Sequence, residues 1–217
     1  MSLVQPAVLK RIPYQGVLLG LTALLASATL VFAYLLTGPL INKQHAGDLT
    51  TSLKAVLPGI EYDNDLLSDH VEITGGVGAI TTTVYRARLH GEIVAVVYPV
   101  FGKGYGGEIN AVMGLDRNGH ITAVNVVSHH ETPGLGDKIE PAKSPWIQSF
   151  IGKGLDNTDE KGWHVRKDGG VFDQFSGATI TPRGLVAAIK GGLDFYAAHR
   201  TEILEETAPT TAKEQPK

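Results

Sequence analysis

An uncharged apolar run near the N-terminus constrains this chain more than any other feature. The run GVLLGLTALLASATLVFAYLL, from Gly16 to Leu36, lies inside a longer stretch between Arg11 and Lys43 that contains no charged side chain. As an α-helix it would be about 32 Å long, which matches the hydrocarbon thickness of a bilayer. The sequence therefore predicts an N-terminal transmembrane helix.

A cleaved signal peptide is the alternative for this run. Lys10 and Arg11 suit its charged beginning, and the sequence ASA at Ala26–Ala28 mimics a cleavage site. The apolar stretch continues past that site, however, and exceeds an ordinary signal sequence, which favours a retained anchor. Lys10 and Arg11 also indicate a cytoplasmic N-terminus, although Lys43 and Lys54 weaken the charge asymmetry.

Composition excludes several classes of function. The net charge is −3 with 19% charged residues, so the chain offers no basic surface for nucleic acid. Cysteine is absent, which excludes disulfides, iron–sulfur clusters on this chain's own thiolates, and thioether-linked haem. A redox role would therefore use a non-metal cofactor, or iron held by a partner.

Beyond the apolar run, strand patterns alternate with turns. Residues 42–59 predict a short helix that ends at Pro58-Gly59. TTVYRARLH predicts a strand whose Arg86 and Arg88 face water, and His90-Gly91 turns the chain into the apolar strand IVAVVYPVF. Two further strands are joined by the turn sequence DRNG.

The last third of the domain is predicted to contain helices. Ser144 and Pro145 are typical of the start of a short helix over SPWIQSFIG, and apolar residues recur at helical spacing from Pro182 to about Glu206. We therefore predict an α+β fold with one transmembrane helix, antiparallel strands and a C-terminal helix. The expected domains are the stub and anchor at 1–41, the mixed domain at 42–206 and a disordered tail at 207–217.

The stretch DQFSGATIT, residues 173–181, places three hydroxyl residues around a Gly-Ala pair. Thr181 before Pro182 is typical of a helix start, where the threonine oxygen accepts a bond from a free backbone N–H. Thr179 would then lie outside the helix, near the positive end of its dipole, where an attached phosphate is stabilised. The residues alone leave a simple helix cap and a chemical attachment site both open.

Two glycine-containing loops are the other candidates, GKGYGG at Gly102–Gly107 and SHHETPGLGDKIE at Ser128–Glu140. Neither matches the dinucleotide-binding fingerprint. Adjacent His129 and His130 point to opposite faces of an extended chain, so we predict no metal site. Each loop is either an ordinary polar turn or a surface that packs against a planar ring.

These stretches resemble the covalent FMN-binding domain family, and within it the G subunits of Rnf electron-transport complexes. The resemblance rests on GYGGEI, HHETPGLGDKI and GGVFDQFSGATITP. It implies FMN joined through its phosphate to Thr179 by a separate flavin transferase that takes FMN from FAD. The other cofactor-site residues expected from the motif and the loops are Asp173, Ser176, Gly177, Ala178, His130, Glu131, Thr132, Gly134, Leu135 and Tyr105.

The resemblance also implies a role. The chain would be an electron-relay subunit, without a catalytic residue of its own, of a complex that couples ferredoxin and NAD chemistry to ion translocation. Its partners would be the other subunits, the flavin transferase and the membrane, with the domain on the periplasmic side of a bacterial inner membrane. A single span without charge would not conduct ions by itself.

Two alternatives remain for the function. One is the C subunit of a sodium-translocating NADH:quinone reductase, which shares much of the pattern. The other is a non-redox extracytoplasmic binding or sensor domain, in which SGAT only caps a helix.

Four cations near Thr179 are interpreted as solvated surface charges: Lys161, Arg166, Lys167 and Arg183.

Overall fold

The computed structural model describes residues 16–32, 49–75 and 81–205. These residues divide into two compact units, 16–32 and the part that follows from Leu49. Residues 16–32 are helical and exposed. Within the described part of the chain, no helix combines the length and apolar character that membrane crossing requires. Residues 33–36 of the predicted anchor and the predicted tail at 207–217 lie outside the described residues.

The centre of the second unit is an antiparallel sheet of five strands in the order β1-β2-β3-β4-β5. The strands are β1 His70–Thr74, β2 Thr81–Leu89, β3 Glu92–Lys103, β4 Glu108–Asp116 and β5 Ile121–Ser128. His90 and Gly91 connect β2 to β3 with φ angles of 54° and 88°, as a two-residue hairpin turn requires. The predicted hairpins at HGE and DRNG are thus confirmed.

Both faces of the sheet are covered. On one face the C-terminal helix, Ile180–Leu204, packs its buried residues against strand residues such as Tyr98 and Met113. On the other face Leu53 and Val56, from the helix at 49–55 and the turn after it, pack against Ala95 and neighbouring strand residues. The predicted short helix before Pro58 is therefore confirmed over 49–55, while residues 42–48 lie outside the described residues. β3 is the buried centre of the domain.

The predicted wet face of β2 is wrong at Arg86. This side chain is 1% exposed and its Nε lies 2.7 Å from Asp69 Oδ1, while Arg88 Nε lies 2.6 Å from Asp69 Oδ2. Asn64 Nδ2 donates to the same carboxylate at 3.2 Å. Alternation alone assigned Arg86 to water, because the pattern in one strand does not reveal a carboxylate that is brought in by another segment.

Several short 3-10 helices follow the sheet: Asp137–Ile139, Pro145–Phe150, Glu160–Gly162 and Arg166–Asp168. The second of these confirms the predicted helix over SPWIQSFIG and its cap, because Ser144 Oγ accepts from the backbone N–H of Trp146 at 3.2 Å. Since the sheet is antiparallel, the end of β3, the start of β4 and the end of β5 meet at one edge. That edge carries both glycine-containing loops.

Removal of the Asp69 carboxylate should lower the free energy of unfolding of the domain. Asp69→Ala removes the carboxylate that balances the charge of the buried Arg86 guanidinium, and we expect a loss of about 3–5 kcal/mol in the free energy of unfolding, measured in urea. As a control, Glu92→Ala breaks the Arg117 pair, whose side chains are 60% and 73% exposed, and should cost at most about 1 kcal/mol. Equal losses in the two variants would contradict the assignment.

His120 should make stability depend on pH. Its Nε2 lies 3.0 Å from both carboxylate oxygens of Asp156, and this hydrogen bond raises the pKa of His120 above its ordinary value of 6.5. A raised folded-state pKa gives stability that is fully present below the unfolded pKa and is lost as pH rises through the folded value. Wild type should therefore exceed His120→Gln in unfolding free energy at about pH 5.5 by more than at about pH 8.5.

Asp156→Asn should show the same trend, since it removes the negative charge that faces the protonated His120 ring. Urea unfolding at the two pH values measures both variants. A difference from wild type that stays constant with pH would show that the His120 charge does not contribute.

Candidate functional site

A cavity of about 560 Å³ opens where the two glycine-containing loops meet the start of the C-terminal helix. This volume lies within the range of about 300–1,000 Å³ that is usual for small-molecule sites. Its lining comes from four parts of the chain: Tyr105, Glu131, Thr132, Leu135, Gly136, Lys167, Gly177, Ala178, Thr179, Ile180 and Arg183. Most of the residues predicted from the sequence are thus gathered around one cavity.

The segment before the helix is a tight turn anchored by an aromatic contact. Ala178 N–H donates to the Phe175 carbonyl at 3.2 Å, and Gly177 at the third position has a φ of 82°, as in a type II turn. The Phe175 ring packs edge-on against Trp146 with 5.1 Å between centroids. This contact fixes the turn to the core, and the chain then leads from Ala178 directly to Thr179.

The C-terminal helix begins at Ile180, and Thr179 is its N-terminal cap residue by position. The Thr179 side chain makes no capping hydrogen bond, and the residue is half-buried in the cavity wall. The Thr179 carbonyl accepts from Arg183 N–H at 3.3 Å, which closes the first turn. The Thr179 hydroxyl is therefore placed at the positive end of the helix and on the cavity surface.

The prediction that Thr181 caps the helix is wrong. Thr181 and Pro182 lie inside the first turn, and Thr181 is fully buried. Its hydroxyl donates a short hydrogen bond to Glu131 Oε2. Pro182 is tolerated there because the first backbone N–H groups of a helix have no acceptor within it.

Glu131 connects three of the four parts of the cavity wall. It is 6% exposed, and its Oε1 accepts from the backbone N–H of Gly106 at 2.9 Å, while Oε2 accepts from Thr181. Its own N–H donates to His129 Nδ1 at 3.0 Å, and His129 Nε2 lies 2.9 Å from Glu140 Oε1. This buried carboxylate therefore joins the β3–β4 loop, the loop after β5 and the helix.

Glycines allow these segments to approach so closely. A Cβ on Gly104 would lie 2.1 Å from Glu131 Oε1, and one on Gly136 would lie 2.5 Å from Glu131 Oε2. A Cβ on Gly106 would lie 1.9 Å from the carbonyl oxygen of His130. Gly104, Gly106 and Gly136 are thus required by the close packing at and beside the Glu131 carboxylate.

Two cavity residues were assigned to solvent in the sequence analysis. Lys167 and Arg183 both line the cavity. Arg183 makes a paired contact with Asp168, with Nη2 2.5 Å from Oδ1, and this hydrogen bond holds the pKa of Asp168 below its ordinary value. The spacing of Arg183, one helical turn after Thr179, could have predicted that the two residues are neighbours. Lys167 lies in the short 3-10 helix Arg166–Asp168, and no comparable spacing connects it to Thr179. Gly136 and Ile180 are further lining residues that were not singled out.

Four predicted site residues do not line the cavity: Asp173, Ser176, His130 and Gly134. Asp173 is exposed and pairs with Arg166 at 3.2 Å, with both side chains 65% exposed. Ser176 and His130 are also exposed. In the described ranges, no group of three or more His, Cys, Asp or Glu residues is arranged to hold a metal ion.

Comparison with known proteins gives consistent matches. The model of the FMN-binding domain family matches residues 104–194, a range that contains every residue of the cavity lining. The chain is 44% identical over 194 residues to the G subunit of the ion-translocating oxidoreductase complex of Cereibacter sphaeroides, covering 89% of this chain and 88% of that protein. The chain belongs to the family of these G subunits.

Other members of the G-subunit family give similar values. The protein of the same name from Stutzerimonas stutzeri is 42% identical over 202 residues, covering 92% of this chain and 88% of that protein.

Among solved structures, NqrC from Shewanella oneidensis has a TM-score of 0.46 and 26% identity, covering 65% of this chain and 74% of the other.

The packing around Glu131 can be tested in this member of the G-subunit family with one methyl group. Gly106→Ala places a Cβ against the His130 backbone, and such overpacking should lower the free energy of unfolding by about 1–3 kcal/mol in a urea titration. The control in the same loop is Tyr105→Ala, because Tyr105 is 75% exposed and its removal should change stability by no more than about 0.5 kcal/mol. Indistinguishable stabilities would contradict the close approach.

Proposed function

We propose that this chain is the flavin-carrying, electron-relay subunit of an Rnf-type ion-translocating oxidoreductase complex, with FMN attached through its phosphate to Thr179. One observation carries the proposal. The Thr179 hydroxyl, which is not used as a helix cap, lies on a ligand-sized cavity inside the segment that matches the FMN-binding family. The names of the relatives at about 40% identity support membership of such a complex.

The cavity residues fit the phosphate of FMN. A phosphate on Thr179 would lie at a helix N-terminus, where free backbone N–H groups and the helix dipole favour an anion. Lys167 lines the same cavity and supplies positive charge, while Arg183 lines it as a pair with Asp168. These features suit a phosphodiester better than an uncharged ligand.

The remaining lining fits a planar ring with polar edges. Leu135, Ile180 and Tyr105 are 43%, 48% and 75% exposed, and all three border the cavity. A bound isoalloxazine ring would cover apolar surface that is otherwise in contact with water. Thr132 and the backbone of Gly136 offer polar groups beside it.

FMN, when bound, supplies one- and two-electron redox chemistry. The chain's own residues position and shield it. A link through Thr179 holds the ring at high effective concentration in the cavity and prevents its loss. No protein residue has to act as nucleophile or acid after attachment, in line with the expectation that the subunit has no catalytic residue of its own.

Maturation would require a flavin transferase. Asp173 and Ser176 are exposed and do not line the cavity, so we propose that they contribute to recognition by this enzyme. Anchoring by the run 16–36 would hold the domain on the periplasmic face of a bacterial inner membrane, next to the other subunits. These assignments follow the resemblance and are part of the proposal.

Thr179→Val should abolish covalent flavin. The full chain, produced together with a flavin transferase, should give a fluorescent band on a denaturing gel and a mass increase of one FMN phosphoester. The variant should give neither, because the acceptor oxygen is missing. Thr132→Val is the matched control, since it removes another threonine hydroxyl from the same cavity lining and should keep the label.

A non-fluorescent wild-type chain of unmodified mass would reject the flavin proposal and favour a non-redox binding domain. Retention of the label in Thr179→Val would reject only the choice of acceptor.

A further inference from the structure

The buried carboxylate of Glu131 borders the cavity without a cation beside it. Its two oxygens accept hydrogen bonds from uncharged donors, the backbone N–H of Gly106 and the hydroxyl of Thr181. Among the described residues, no Lys, Arg or His side chain forms an ion pair with this carboxylate. Two uncharged donors therefore stabilise its negative charge, and no ion pair among the described residues balances it.

Two basic residues of this region have other partners. Arg183 is paired with Asp168, so its charge is already balanced by another carboxylate. His129 accepts from the Glu131 backbone through Nδ1 and contacts Glu140 through Nε2, so its ring faces Glu140 and not the Glu131 carboxylate. Neither residue forms an ion pair with Glu131, and among the described residues Lys167, which also lines the cavity, forms none with it either.

We propose that Glu131 sets the reduction potential of the cofactor in this cavity by opposing the arrival of negative charge. The inference rests on the proposed function, because it requires a redox group in the cavity. Charges interact more strongly in a buried, poorly solvated site than in water. A fixed carboxylate on the cavity wall therefore disfavours the reduced, more negative form of the cofactor and makes the potential more negative.

Glu131 also has a structural part, which must be separated from its charge. Glutamine keeps the shape of the side chain and both hydrogen bonds. Its Oε1 accepts from Gly106 as before, and its amide N–H donates to the Thr181 hydroxyl, which can accept as well as donate. Glu131→Gln therefore removes the charge and leaves the connections between the three segments intact.

The experiment is a redox titration of the flavin-labelled full chain, followed by absorbance. Glu131→Gln should shift the midpoint potential to more positive values than in wild type. The matched control is Glu140→Gln, which removes one negative charge from the same region but does not line the cavity, and it should shift the potential less. A change of opposite sign, Thr132→Asp, adds a negative charge to the exposed cavity lining and should shift the potential to more negative values.

An unchanged or more negative potential in Glu131→Gln would overturn the inference, as would a shift no larger than that of Glu140→Gln. Failure of Glu131→Gln to fold or to retain the label would also overturn it, since the role of the residue would then be structural. A wild-type chain without covalent flavin would instead reject the proposed function, and the fluorescent gel shows this before any titration.

Discussion

The arrangement of the cavity depends on one buried carboxylate. Glu131 accepts from Gly106 on the β3–β4 loop and from Thr181 on the C-terminal helix, while its backbone belongs to the loop after β5. The sheet brings these loops to one edge, but it does not fix the distance between them and the helix. A buried acceptor that lacks a hydrogen bond costs about 1–3 kcal/mol, and more when it is charged. Moving any one of the three segments away would therefore destabilise the contact between the others and Glu131.

Close approaches at the cavity wall explain several of the glycines. A Cβ on Gly184 would lie 2.0 Å from the Lys103 carbonyl oxygen, so the helix also meets the end of β3 without room for a side chain. Gly104 and Gly136 leave room for the two oxygens of Glu131. Each glycine lowers stability, because glycine loses more conformational entropy on folding than other residues do. These glycines lie where backbone contacts backbone or a buried charge.

Local chemistry could be predicted from the sequence, but long-range pairing could not. The hairpin at His90-Gly91 and the cap at Ser144 depend on neighbouring residues, and the structure confirms both. Arg86 and Thr181 were assigned wrongly, because their partners Asp69 and Glu131 are 17 and 50 positions away. A polar residue in a strand or at a helix start looks solvated until such a partner is known.

The two threonines of GATIT show how position decides between similar residues. They are two positions apart, so at about 100° per residue they project from nearly opposite sides of the first helical turn. One side meets the cavity and carries Thr179; the other meets the Glu131 carboxylate and carries Thr181. Thr181 donates to Glu131 and the Thr179 side chain makes no capping hydrogen bond, so neither hydroxyl caps the helix. First-turn backbone N–H groups that no side chain caps are a favourable environment for an anion.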